Sequence, residues 1–152
     1  MEQYVTANQV FFDQQLASRE EAIAFLSAKA EELGFASSGA GVEKAFLARE
    51  AEALTGLQDG YAIPHAKCDA ISKAAIEVLR LSAPVEWPTF DEQPVDMCIA
   101  LLIPTAEAGT THIKLLSNCA VMLMDEDFRE KLRSATDAEA LAAELNARLN
   151  EA

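Results

Sequence analysis

Val95-Asp96-Met97-Cys98-Ile99-Ala100-Leu101-Leu102-Ile103-Pro104 contains the longest apolar run of the chain, Met97 to Ile103. A bilayer-spanning helix needs ~20 apolar residues, so this run is far too short to cross a membrane. Val95 to Ile103 reads as a buried strand, closed by Pro104. A second β-like run, Ala74 to Leu81, precedes it, and a short extended piece, Tyr61 to Pro64, lies before that. Together they predict a sheet.

Helical patterns flank these strands. Ser18 followed by Glu21 predicts a capping box, and Ala22, Ile23, Leu26, Ala30 and Leu33 then recur at helical spacing until Gly34 stops the run. After the small residues 36–41, Val42, Ala45, Phe46 and Ala53 mark one face of a second helix ending near Leu54. The segment 55–60 reads as a loop. A third helix is predicted over His112 to Met124, with Leu115, Leu116, Cys119 and Leu123 turned inward and a threonine before it as cap. Two more follow, one over Asp127 to Arg133 and one opened by Thr136 with Glu139 as a second capping box, carrying Leu141, Leu145 and Leu149. Helices at both ends of a central strand region predict one α/β (α+β) domain over residues 1–152, a mixed sheet covered by helices on both faces.

Composition narrows the function. Twelve basic against 25 acidic residues leave a formal charge of −13, which repels nucleic acid and anionic lipid and favours basic protein surfaces. Cys68, Cys98 and Cys119 are odd in number and in no metal-ligand spacing, so neither a disulfide framework nor a metal site is indicated. The start, Met1-Glu2-Gln3-Tyr4, lacks a basic, apolar leader, and a soluble protein of the reducing cytoplasm is expected. Walker loops, dinucleotide fingerprints and Gly-x-Ser-x-Gly elbows are all missing.

What remains is two histidines. Pro64 stiffens the chain before His65 and forces Ile63 to be extended, so the imidazole is presented at a strand end. On spacing alone His65 reads equally well as a surface histidine without a task. Arg49 is a cation in the middle of the apolar stripe of Val42, Ala45, Phe46 and Ala53, where it needs a partner or must snorkel to water. His112 lies near a helix N-terminus, where a lowered pKa keeps the ring neutral; a capping or core role fits the same position.

The stretch Thr55-Gly56, Gly60, then Ala62-Ile63-Pro64-His65-Ala66-Lys67 resembles the active-site region of mannitol/fructose-type enzyme IIA domains of bacterial sugar phosphotransferase systems, with the family's Arg-Glu pair as Arg49-Glu50. Gln93-Pro94-Val95-Asp96, Gly109-Thr110-Thr111-His112 with Leu115-Leu116, and 125–132 resemble the same family in the same order, so the likeness spans nearly the whole chain. The Pro-His-Ala-Lys form and 107–112 are more similar to fructose and mannosylglycerate IIA domains than to mannitol ones. Departures lie at Glu52-Ala53-Leu54 and Leu57-Gln58, where relatives carry small residues or a Gly-Asn-Gly turn.

The resemblance implies the mannitol-type IIA fold and a phosphorelay. The histidine carrier protein HPr would donate phosphate to His65, and a IIB domain would take it on for a sugar crossing a IIC channel on another chain. It implies no cofactor and no metal. It makes Arg49 a bidentate phosphate-stabilising group and His112 a supporting histidine. Thr55, Gly56 and Asp59 become candidates for the phosphate site, Asp59 as an orienter of Arg49 or an imidazole, although Asp59 also reads as a turn residue before Gly60. A regulatory module of the nitrogen-related IIA type, which binds partner proteins instead of feeding a transporter, carries the same fold and histidine.

Overall fold

The computed structural model describes residues 2–151, Thr111 by its backbone alone. Val95–Pro104 forms a ten-residue strand, here β5, at the centre of a mixed sheet. The others are β1 (Val10–Gln14), β2 (Tyr61–Ala62), β3 (His65–Cys68) and β4 (Ala75–Val85). β4 runs antiparallel to β5, while β2 and β3 follow one another along its other side in parallel register; β1 pairs with β4, also in parallel.

Both faces of β5 are covered, which explains its unbroken apolar sequence. Met97, Ile99, Leu101 and Ile103 pack with residues of α3 (Thr111–Met122), α4 (Glu126–Ser134) and α5 (Ala138–Leu149). Cys98, Ala100 and Leu102 face α1 (Arg19–Glu32) and α2 (Gly39–Glu52), where Ile23, Leu26, Val42 and Phe46 are fully buried. The expected α/β single domain, a mixed sheet flanked by helices on both faces, is the fold observed.

Local signals hold with small shifts. Ser18 Oγ accepts from the Glu21 N–H at 3.1 Å, yet the Glu21 carboxylate turns to the Ala17 N–H at 3.3 Å, so the box closes one residue early. α2 begins at Gly39 behind Ser38 as its cap and ends at Glu52, leaving Ala53 outside the helix. Thr110 stands at the N-cap of α3 without a side-chain bond, and the Thr111 side chain lies outside what is described. Asp137, not Thr136, caps α5, its carboxylate accepting from the Ala140 N–H at 3.1 Å, because a charged acceptor one residue later fits the first turn better.

Strand β1 had no sequence signal. It is a short edge strand whose register shifts between Phe11 and Gln14, with Asp13 at φ 54°, and a bulge of this kind erases the period of two.

Candidate active site

His65 is the first residue of β3, directly after Pro64, and is 4 % exposed. The two-residue break between β2 and β3 leaves the Ile63 carbonyl pointing at the ring: His65 Nδ1 lies 3.0 Å from it. A carbonyl can only accept, so Nδ1 carries the proton and Nε2 keeps its lone pair. That lone pair accepts a hydrogen bond from Arg49 Nε at 2.8 Å.

Arg49 reaches this position because α2 packs Val42 and Phe46 against the sheet and carries the same face one turn further, past the sheet to the start of β3. Its Nη1 donates to the Ala53 carbonyl at 3.0 Å, beyond the helix end. The cation in the apolar stripe thus has its partner, and that partner is the imidazole. Behind it, the Thr55 hydroxyl donates a short hydrogen bond to Glu50, and Trp87 Nε1 donates to Thr55 Oγ1 at 3.4 Å. Glu50 has a side chain only 3 % exposed, and burial raises its pKa against the opposing influence of Thr55 and Arg19.

His112, the second residue of α3, brings its ring within 4.9 Å of the His65 ring, centroid to centroid, at 61°. Its Nε2 is buried and has no hydrogen-bond partner among the described residues. Desolvation lowers its pKa, followed by the charges of Lys67 and Arg49. His65 is pushed down to about 4, chiefly by burial and further by Arg49 and His112, against the Ile63 carbonyl and Glu52.

Of the weaker candidates, Thr55 is a brace. Buried at 4 % exposure, it holds Glu50 by its hydroxyl and receives the Ile63 N–H on its carbonyl at 2.9 Å. Gly56 is a packing position, since a Cβ there would lie 2.4 Å from the Pro88 oxygen and from Thr89 Cγ2. Asp59 is not gathered with Arg49 or either imidazole: with φ at 58° it forms ion pairs with Arg129 at 3.0 Å and Arg133 at 3.3 Å. The turn reading of Asp59 is the one its backbone supports.

Two contributors went unremarked in the sequence. The Ile63 carbonyl sets the His65 tautomer, and the extended conformation imposed by Pro64 was its only trace. Lys67, two residues along β3, projects to the same side of the strand as His65 and places a positive charge near His112. Among the described residues no cluster of His, Cys, Asp and Glu has a metal-holding arrangement, and no helix is long and apolar enough to cross a membrane.

The site thus pairs a neutral imidazole with a guanidinium at a strand end and sets a second imidazole alongside. The chain belongs to the EIIA 2 family of the phosphoenolpyruvate-dependent sugar phosphotransferase system, whose model matches residues 3–147. It is 38% identical over 130 residues to the 2-O-alpha-mannosyl-D-glycerate-specific EIIABC component of Escherichia coli, covering 85% of this chain and 20% of that longer protein. It is also 38% identical over 124 residues to a nitrogen regulatory protein of Bradyrhizobium diazoefficiens, covering 82% of this chain and 80% of the relative. Among solved structures, the complex of enzyme IIA and phosphorylated enzyme IIB for mannitol from Escherichia coli matches 95% of this chain and 96% of the compared chain, with a TM-score of 0.75 at 21% identity. That likeness establishes the mannitol-type IIA fold.

Proposed function

We infer that this chain is a cytoplasmic phosphocarrier, a domain spanning residues 1–152, that accepts a phosphoryl group from phosphorylated HPr on His65 and passes it to a IIB domain. The IIB domain would serve, with a membrane IIC component on another chain, the uptake and phosphorylation of a fructose-like or related sugar. The observation that carries the reading is the fixed tautomer: Nδ1–H is held by the Ile63 carbonyl, and the Nε2 lone pair faces the Arg49 guanidinium.

In this mechanism the Nε2 lone pair attacks the phosphorus of the donor phosphohistidine. The new N–P bond forms as the donor's N–P bond breaks, and the donor imidazole leaves with the electron pair. No proton has to leave His65, because Nε2 carries none. The ring becomes positive on phosphorylation, and the Nδ1–H bond to Ile63 strengthens accordingly. Arg49 loses its nitrogen acceptor at the same moment and turns its donors to the phosphoryl oxygens, while the unpartnered Nε2 of His112 supplies a further contact. A ring of low basicity is a good leaving group, which suits onward transfer. The chemistry asks for no metal or cofactor.

A regulatory role like that of nitrogen-related IIA proteins is supported by the identity to the Bradyrhizobium relative. Incubation of the phosphorylated chain with a sugar-specific IIB domain separates the two. A transport carrier loses its label to IIB within the time of a few turnovers; a regulator retains it.

A further inference from the structure

A second surface lies away from the two histidines. Leu57, Tyr61, Phe90, Leu123 and Met124 line an apolar groove of about 300 Å3. Phe90 and Met124 stand at its rim, 70 % and 78 % exposed. His112 lies in the first turn of α3 and Met124 just beyond its last, so at 1.5 Å per residue this end of the groove sits roughly 18 Å along the helix from His112.

The chain that follows each of these two residues is acidic. Phe90 is followed by Asp91 and Glu92, and Met124 by Asp125, Glu126 and Asp127. The cations nearby are already engaged. Arg129 binds Asp59 and the Leu123 carbonyl, at 3.0 and 2.8 Å, and Arg133 binds Asp96 at 3.0 Å while covering the Tyr61 ring. Among the described residues no cation pairs with Asp91, Glu92, Glu126 or Asp127. Asp125 is paired with Arg148 at 3.4 Å, so among the described residues the acids left without a cation are Asp91 and Glu92 after Phe90 and Glu126 and Asp127 after Met124.

We propose that this groove docks a basic protein segment that inserts a large apolar side chain between Phe90 and Met124 while its lysines or arginines meet the acids beyond them. Charge decides the occupant. A second copy of a chain with a net charge of −13 brings like charge to these acidic segments, and so do nucleic acid and anionic lipid. The inference stands independently of the phosphocarrier reading, because it uses neither histidine, and a partner seated here leaves His65 open.

The test is selection of random short peptides displayed on phage against the full chain, with counter-screening on Phe90→Ser/Met124→Ser. Both side chains are exposed, so this variant keeps the wild-type thermal midpoint. Enriched peptides should be net positive with at least one aromatic or large aliphatic residue. A synthetic copy should shift the backbone NMR signals of Leu57, Tyr61, Phe90 and Leu123, and its affinity should weaken about tenfold or more on the double variant and fall with added salt. Peptides that are acidic or neutral, that bind both proteins equally, or that shift signals around His65 would overturn the proposal. A wild-type dimer that the double variant dissolves would overturn it too, giving the groove to a second copy.

Discussion

Arg49 Nε and His65 Nε2 lie 2.8 Å apart, donor to lone pair, and the Ile63 carbonyl holds the opposite ring nitrogen at 3.0 Å. The imidazole is therefore fixed in plane and tautomer, and the guanidinium is already in contact with its free lone pair.

The first prediction concerns protonation. Burial and the neighbouring cation hold His65 down to about 4 in the folded state, against 6.5 unfolded. Between these values the unfolded chain binds more protons at this site, so its contribution to stability is present above pH 6.5 and is lost as pH falls towards 4. Imidazole carbon-proton NMR should show His65 neutral from pH 8 to about 5, with phosphoryl acceptance unaffected by the state of this ring over that interval. A midpoint near 6.5 would show that the ring is solvated and unpaired.

Arg49→Leu should keep the fold, since the guanidinium lies at the end of its helix and is only half-buried, yet lower kcat for phosphoryl acceptance by about 100- to 1,000-fold. Arg49→Lys should restore little of it, because a point charge cannot both meet Nε2 and bind two phosphoryl oxygens. Stopped-flow transfer rates beside circular dichroism make the comparison. A leucine variant that unfolds would assign Arg49 a structural role instead.

Glu77 yields a stability prediction outside the site. Third in β4, it is fully buried, and neither carboxyl oxygen has a hydrogen-bond partner among the described residues. Burial raises its pKa well above the ordinary value, only partly offset by Lys29. The folded state holds this proton where the unfolded chain releases it, so stability from this group is present below pH 4.5 and declines as pH rises towards the raised folded value. Glu77→Leu should stabilise the domain by about 1–3 kcal/mol, more at pH 8 than at pH 4.5, in urea denaturation. An equal gain at both pH values would show that the carboxyl does not titrate there.

How much of this was legible depended on whether a local pattern or a distant partner carried the information. β5 could be read because a strand covered on both faces is apolar throughout, and Arg49 because a cation inside an apolar helical stripe requires a partner. β1 could not, since its bulge at Asp13 destroys the alternation that marks a strand. The braces of the site were hidden for another reason. Thr55, Glu50 and Trp87 meet across 37 residues of chain, and the role of Ile63 belongs to its carbonyl, which any residue possesses. Asp59 is near the histidine in sequence, and its turn carries its carboxylate to Arg129 and Arg133.

The most direct measurement is transfer of labelled phosphate from phosphorylated HPr to the wild type, His65→Ala and His112→Ala, followed by peptide mapping. The account predicts a label that is stable to base and labile to acid, located between Tyr61 and Lys67, absent from folded His65→Ala. In His112→Ala it should be retained but passed on about 10- to 1,000-fold more slowly, because one supporting contact has been removed and the nucleophile has not. A label that persists in His65→Ala and vanishes in His112→Ala would contradict it, and would make His112 the nucleophile.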